Sequence, residues 1–244
     1  MRDLREWCGI AQEVISTMGL EPAFKLGVFK EELKNRFRCV VTIDNADTVC
    51  YVPSSSRLSN FVDLSNRVVM LRPVKNKNAK LRYAVFAVKY NRSFVLLDLT
   101  RVNKIIANQL SKRLFSLLGS RDSVTREKVV DGYKCDLYIE ESDTIIEVKS
   151  VLAFTKDAVI PTVYSERGIN QLTKIKHLLN AGHKVCYVIV SLYQGVERIS
   201  INPEQKEYYK HFMECLDAGM KVLTVSLHMK CGEAFVKKKI EFME

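Results

Sequence analysis

The spacing of apolar and polar positions changes near residue 99, and the change divides the chain into two kinds of structure. Before it, short β-rich runs alternate with turn residues. The run 36–43 closes on Asp44-Asn45-Ala46-Asp47, and 49–52 stops at Pro53-Ser54-Ser55-Ser56. A third run, 67–71, leads into the polar, basic loop 73–80, and 81–90 with 94–98 reads as a hairpin around Asn91-Arg92-Ser93. Five short strands in succession predict a small barrel, and the oligonucleotide-binding (OB) fold is one such barrel. Ahead of them Leu4, Trp7, Cys8, Ala11, Val14, Ile15 and Met18 recur at helical spacing and predict an amphipathic helix over residues 1–18.

After residue 99, Val102, Ile105, Ile106, Leu110, Leu114 and Leu117 recur every three or four positions, which predicts one helix ending near Gly119. Strand-like runs follow at 123–130, 133–140 and 144–151. Helices at 168–181 and 203–218 then alternate with strands at 184–192 and 221–226. Gly182 and Gly219 stand where helix C-caps belong. The order α-β-β-β-α-β-α-β predicts an α/β domain with a mixed sheet. The fold class expected is therefore α/β (α+β): a helical extension over 1–25, a small OB-like β-barrel over 26–98, and an α/β domain over 99–244.

Composition adds three constraints. With 244 residues, 47% of them hydrophobic, the chain can bury a sizeable core without disulfides or a structural metal. Seven cysteines without a C-x-x-C pair are expected to be reduced thiols rather than zinc ligands, and Cys39, Cys135 and Cys186 fall in apolar strand runs where they act as small buried hydrophobes. The longest apolar run, 185–190, falls far short of the roughly 18 residues of a spanning helix. The opening residues 1–7 lack an apolar stretch, so the expectation is a cytoplasmic chain with no membrane partner.

Charge changes the picture more. The formal net charge is +10, and all of the excess lies in residues 1–120, which hold 20 basic and 10 acidic side chains; residues 121–244 hold 18 of each. Between Arg67 and Arg113 twelve cations face a single acid, Asp98. Ordinary surfaces mix their signs, so a stretch of one sign predicts contact with phosphates of DNA or RNA. The candidate contacts are Arg57, Arg67, Arg72, Lys75, Lys77, Lys80, Arg82, Lys89 and Arg92. Tyr83, Phe86, Tyr90 and Phe94 interleave with them, although Phe86 and Phe94 are expected in the core.

The chemistry is concentrated in 134–150. If Glu141-Ser142 is a two-residue hairpin loop, Glu140 pairs with Asp143 and the register places Asp136 opposite Glu147. Alternation then sets Glu147 and Lys149 on one face while Ile146, Val148 and Ser150 point to the other. Like charges opposite each other on neighbouring strands destabilise a hairpin unless a cation holds them. A divalent ion, Mg²⁺ or Mn²⁺, bound by Asp136, Glu147 and a backbone carbonyl such as that of Val148 fits this need. Lys149 beside it would orient or activate water and stabilise charge on a phosphate under attack. The E-x-K triplet occurs three times, but Glu32-Leu33-Lys34 and Glu204-Gln205-Lys206 lie in polar surroundings, and only Glu147-Val148-Lys149 sits in an apolar strand. Arg167, just before a predicted helix, is expected either to help bind a phosphate at that helix N-terminus or to serve as a capping or surface residue. His177 and His183 have no partner at metal-ligand spacing and are expected to be solvated.

At these residues the chain resembles a known family. Asp136 with Ile146-Glu147-Val148-Lys149-Ser150 is similar to the PD-(D/E)XK nuclease core, and the fuller pattern resembles the sugar fermentation stimulation protein A family of DNA-binding proteins. That pattern comprises Asn35-Arg36-Phe37, Tyr51-Val52-Pro53, Arg57-Leu58, Asn103, Arg126-Glu127 and Glu166-Arg167-Gly168. The resemblance runs over about 26–226. It implies an OB-like domain followed by a PD-(D/E)XK nuclease-like domain, with Asp136 and Glu147 as metal ligands, Lys149 as the catalytic lysine and Glu127 as a further acid. Ser54-Ser55-Ser56 replaces the family's Asn-Thr-Gly before Arg57, and Gln171 stands where family members often have His. The functional expectation is a nucleic-acid-binding, Mg²⁺-dependent or Mn²⁺-dependent nuclease. Its rival is a non-catalytic DNA-binding regulator that keeps the nuclease fold as a scaffold.

Overall fold

In the computed structural model the described residues are 24–54, 57–74, 76 and 78–244, so the helix expected over 1–18 and the side chains of Lys75 and Lys77 lie outside them. The chain divides into two compact units. The first runs to Thr100 and includes His228–Ala234, and the second comprises Arg101–Leu227 and Phe235–Glu244.

The first unit is a barrel. Its strands are β1 (Lys25–Glu32), β2 (Arg38–Ile43), β3 (Ala46–Tyr51), β4 (Val68–Pro73), β5 (Tyr83–Tyr90) and β6 (Ser93–Leu96). The order β3-β2-β1-β4-β5-β6, closed by a parallel contact of Tyr51 with Ala84, makes a five-stranded OB-like barrel of β1 to β5, with β6 hairpinned onto β5. The turns are those their residues favour. Asp44 and Asn45 take φ of 50° and 65° between the paired Ile43 and Ala46, as a two-residue hairpin loop demands. Irregular register at Phe29/Glu31 and at Met70/Leu71 supplies the bends that closure requires. Phe29, Val41, Leu71, Phe86 and Phe94 fill the interior. The sequence reading missed β1, the strand that joins β2 to β4, and took β6 as the fifth strand instead.

In the second unit the expected single helix over 99–119 is broken. A 3-10 turn at Leu99–Arg101 leads into α1 (Val102–Ala107), and a second 3-10 segment covers Arg113–Leu118. Val102, Ile106 and Leu110 of the expected face are buried, but Leu114 is only half-buried and Leu117 is 47% exposed; Phe115 and Leu118 are buried instead, so the apolar face shifts where the hydrogen-bond ladder breaks. Asn108 and Ser111 in the gap are residues whose side chains compete for backbone groups, and the first turn carries neither an acid nor a side-chain cap.

The remaining strands are β7 (Val124–Arg126), β8 (Val129–Val130), β9 (Tyr133–Lys134), β10 (Leu137–Ile139), β11 (Thr144–Val151), β12 (Asp157–Ile160), β13 (Lys184–Ser191), β14 (Arg198–Ile201), β15 (Lys221–Lys230), β16 (Glu233–Lys239) and β17 (Glu241–Met243), with helices α2 (Glu166–Asn180) and α3 (Lys206–Asp217). A six-stranded mixed sheet has the order β16-β15-β13-β11-β10-β7, in which β11, β13 and β15 run parallel and β10 is antiparallel to β11 and β7. A small parallel sheet β12-β14-β17 and the β8–β9 hairpin complete the unit. The predicted runs 123–130 and 133–140 are each split. Glu127, at φ 57°, turns the chain between β7 and β8, and the β10 ladder begins only at Leu137. Strands β12, β14, β16 and β17 have no counterpart in the sequence reading. Gly182 and Gly219 end α2 and α3 at φ of 93° and 96°, conformations in which a Cβ is strained. The helices pack through Leu172, Ile175, Tyr208 and Phe212 in one core with Tyr187, whose ring meets Phe212 edge-on at 5.5 Å. Among the described residues no helix is long and apolar enough to cross a membrane.

Candidate active site

The β10–β11 hairpin has the register read from the sequence: Leu137 pairs with Ile146, Tyr138 with Ile145 and Ile139 with Thr144. The next pair would be Asp136 and Glu147, but the ladder has ended. The Val148 N–H, left without a strand partner on that side, donates to Asp136 Oδ2 at 2.9 Å, while Asn103 of α1 donates its amide to Asp136 Oδ1 at 2.8 Å. The backbone fixes Asp136 as well, because its carbonyl accepts from the Glu127 N–H at 3.0 Å.

Glu147 lies inside the sheet and is 5% exposed. The Tyr133 hydroxyl donates to its Oε2 at 2.5 Å, and the Gln171 amide of α2 donates to its Oε1. Burial, and then the neighbouring Asp136 charge, push the Glu147 carboxyl up to about 8, against the pull of Tyr133 and Lys149. Burial and the Glu147 charge also push the Tyr133 phenol well up, so it remains a donor. Half-buried Lys149 is held below the usual lysine range by desolvation and by nearby Arg167, opposed by Glu147 and Asp136. Two carboxylates and a lysine thus lie within electrostatic reach of one another, with Arg167 near the lysine.

Such a site offers hard oxygen ligands. Two adjacent carboxylates, one of them raised by burial and then by its neighbour's charge, are a donor set that suits a divalent cation. Among the described residues no group of three or more His, Cys, Asp or Glu is arranged as a metal cage, so Asp136 and Glu147 would leave most of an ion's coordination to water, substrate and backbone carbonyl. That sharing is the habit of Mg²⁺. These two carboxylates would fit a weakly held divalent ion.

The other candidates divide. Gln171 joins the site directly, and Arg167 is exposed at the start of α2, whose N-cap Ser165 accepts from Gly168 N–H at 3.1 Å. Glu127 does not join it. Its side chain is exposed and paired with Lys134 at 2.6 Å, which lowers its pKa. Of the basic candidates, Arg72 is bound to the fully buried Asp98 at 3.0 Å, Arg57 donates to the Lys34 carbonyl at 2.7 Å, and Arg67 donates to the Asp63 carbonyl and lies over the Tyr90 ring. Lys80, Arg82 and Arg92 are exposed, and Lys89 is half-buried. Phe86 and Phe94 are core residues, as expected. His183 corrects the sequence reading: instead of being solvated it meets Asp131 at 2.8 Å and Asp143 at 3.6 Å, and the Asp131 bond raises its pKa.

Two site residues had no role in the sequence reading. Tyr133 is separated from Glu147 by a turn and a strand, and nothing in its local pattern marks it as a donor to a buried acid. Asn103 is among the residues that carry the resemblance but had no role there, and its polarity on the first turn of α1 gains meaning only once that helix is seen beside Asp136.

Comparison with known proteins follows the two units. Residues 33–97 match the family described as SfsA N-terminal OB domain, and residues 100–233 match the sugar fermentation stimulation protein RE domain. The chain is 24% identical over 214 residues to the sugar fermentation stimulation protein homolog of Pelagibacter ubique, covering 85% of this chain and 92% of that one. It is also 24% identical over 170 residues to the homolog of Clostridium acetobutylicum, covering 68% and 73%. The solved structure of Pyrococcus furiosus SfsA in complex with Ca²⁺ superposes with a TM-score of 0.79 at 19% identity, covering 92% of this chain and 98% of that one, a likeness of fold. With both of its units matched, the chain belongs to the sugar fermentation stimulation protein family.

Proposed function

We propose that this chain binds nucleic acid and hydrolyses its phosphodiester bonds with a divalent metal ion, Mg²⁺ or Mn²⁺. The observation that carries the reading is the buried Glu147, pushed up to about 8 beside Asp136 with Lys149 on the same strand. A carboxyl this deep in a sheet costs stability, and a site that draws it against a second acid suits cation-assisted chemistry. The related Pyrococcus furiosus protein was solved with Ca²⁺, an ion with the same preference for oxygen ligands, which supports the reading.

Asp136 and Glu147 would hold the ion, with the Val148 carbonyl as a third protein ligand. The ion would supply charge neutralisation at the scissile phosphate. The chain's own groups do the rest. Asn103 and the Val148 N–H keep Asp136 oriented, and Tyr133 and Gln171 keep Glu147 oriented. Lys149, whose ammonium burial makes easier to deprotonate, would as the free amine position the attacking water and take up its proton, and the ammonium so formed would offset charge on the phosphate. Arg167 receives a phosphate oxygen at the edge.

The test is cleavage of single-stranded and duplex DNA and RNA with and without Mg²⁺ or Mn²⁺. Glu147→Gln and Asp136→Asn should each lose activity at least a hundredfold, and Lys149→Ala should lose it while still binding Mn²⁺. Cleavage that persists in both carboxylate variants defeats the assignment.

One observation favours the second reading, a DNA-binding regulator without catalysis. Each carboxylate already accepts two hydrogen bonds from the protein, so Asp136 and a protonated Glu147 can stand as a satisfied structural pair. Under that reading Mn²⁺ neither binds nor changes stability.

A further inference from the structure

The outer face of β2 and β3 carries residues that the site above does not use. Along β2, Cys39, Val41 and Ile43 are buried, so Arg38, Val40 and Thr42 face outward, opposite Tyr51, Val49 and Asp47 of β3. Phe37, just ahead of β2, stacks on Tyr51 with ring centroids 6.4 Å apart and planes 22° apart. Phe37 is 38% exposed and Tyr51 37%, and the Arg36 guanidinium lies 4.7 Å from the Phe37 centroid.

The backbone holds this arrangement. The Phe37 N–H donates to Asn35 Oδ1 at 3.0 Å, and the Val52 N–H donates to the Phe37 carbonyl at 2.9 Å. Arg57, through its bond to the Lys34 carbonyl, adds a cation at the same end, where Lys34, Arg36 and Arg38 are exposed. The face also carries acids, Asp47 in the β3 row and Glu31 across from Val40. Asp47 is paired with Lys30 at 2.6 Å, the Glu32 carboxylate accepts from the Leu58 and Ser59 amides at 2.7 and 3.0 Å, and Glu31 is exposed on β1 opposite Val40. Two large rings side by side in solvent, beside exposed Val49 and ringed by cations, add little to the barrel's own core.

We infer that this face binds single-stranded nucleic acid, with unpaired bases stacked on Phe37 and Tyr51 and the backbone phosphates on Lys34, Arg36, Arg38 and Arg57. The inference rests on the nucleic-acid reading above and deepens it by naming the strandedness of the ligand. Cations alone serve a duplex as well as a single strand, because both present phosphates. Exposed rings do not. A duplex hides its base faces, whereas every unpaired base offers one for stacking, whatever the sequence. Arg36, lying over Phe37, serves both requirements, since a guanidinium stacks on a ring and still donates to a phosphate.

The test is fluorescence anisotropy with labelled oligo(dT), oligo(rU) and a hairpin duplex of equal length, in EDTA so that no strand is cut. Wild-type protein should prefer the single strands. The Phe37→Ala/Tyr51→Ala double variant should bind them at least tenfold more weakly, change its duplex affinity less than twofold, and keep its slope of log affinity against log salt, because the rings carry no charge. The Phe37→Tyr/Tyr51→Phe pair should bind as wild type. Arg36→Gln/Arg38→Gln should flatten the slope on single strands by about 0.7 for each phosphate no longer neutralised. Comparing the oligo(dT) and oligo(rU) arms tells DNA from RNA. Unchanged single-strand affinity in the ring variant, or an equal loss on the duplex, overturns the inference, as does a wild-type dimer that the ring variant dissolves. Wild-type protein that binds the duplex but no single strand defeats this inference alone, whereas binding to neither defeats the nucleic-acid reading beneath it.

Discussion

Glu147 carries the sharpest consequence of the structure. Its carboxyl is raised above its unfolded value by burial and by Asp136, so below about pH 8 the folded protein holds a proton that the unfolded chain has already released above the ordinary carboxylate range. Folding stability contributed by this group is therefore complete at low pH and is lost as pH rises from about 4.5 to about 8. Each pKa unit corresponds to about 1.4 kcal/mol, so the loss amounts to a few kcal/mol. Metal-free urea denaturation at pH 6 and pH 9 should show Glu147→Gln gaining stability relative to wild type as pH rises. A pH-independent difference between the two proteins would contradict the burial argument. Adding Mn²⁺ at pH 9 should restore the wild-type protein, because an ion replaces the missing proton. The carboxylate-carboxylate-lysine set was legible in the sequence because a strand's two-residue alternation and a short turn fix register over short distances, even though the turn spans residues 140–143 rather than the expected two. Tyr133, Gln171 and Asn103 were not legible as the donors that orient it, because each arrives from an element whose approach to β11 no local pattern specifies.

At the scale of elements, the missed strand and the broken helix have opposite causes. Strand β1 escaped notice because Gly27 interrupts its apolar run and Lys30-Glu31-Glu32 ends it in charge, a poor strand by propensity that pairing on both edges overrides. Gly27 has a steric reason to be there: a Cβ would lie 2.6 Å from Val41 Cγ1 and 2.8 Å from the Thr42 carbonyl oxygen. Gly27→Ala should therefore cost about 1–3 kcal/mol, since backbone must shift to relieve the clash. Chemical denaturation would measure it, and a neutral result would mean that the barrel wall yields more easily than its packing indicates. The helix over 99–119 was over-read for the reverse reason. Its apolar residues keep a helical spacing and are buried at Val102, Ile106 and Leu110, but beyond the break burial passes to Phe115 and Leu118 and leaves Leu117 exposed, because two short helical segments with a kink between them need not share one face.

For the molecule as a whole, the charge asymmetry read from the sequence needs revision in its details. Arg72 and Arg67 each have a structural partner, so the phosphate-facing charge of the 67–113 stretch is smaller than its twelve cations suggest. Lys80, Arg82 and Arg92 are exposed members within the barrel with which to test it. Changing all three to Glu should weaken duplex binding across sequences and reduce the salt slope by about 0.9 for each phosphate no longer neutralised, whereas Lys149→Ala should leave both unchanged. An unchanged slope in the triple variant would make these residues ordinary solvated surface.

The sequence by itself determined the two-part division, most of the barrel strands, the β10–β11 register and the pairing of acid with acid beside a lysine. All of these depend on interactions within about a dozen residues, where hydrophobic period and turn chemistry act directly. Only the tertiary structure decided that β1 closes the barrel, that β11, β13 and β15 lie side by side in parallel, and that Tyr133, Gln171 and Asn103 meet at the carboxylates. It also decided which arginines face inward to partners and that Phe37 and Tyr51 face outward. Those outcomes depend on which surfaces meet across long stretches of chain, where many arrangements share one local pattern and only the packing of the whole core selects among them.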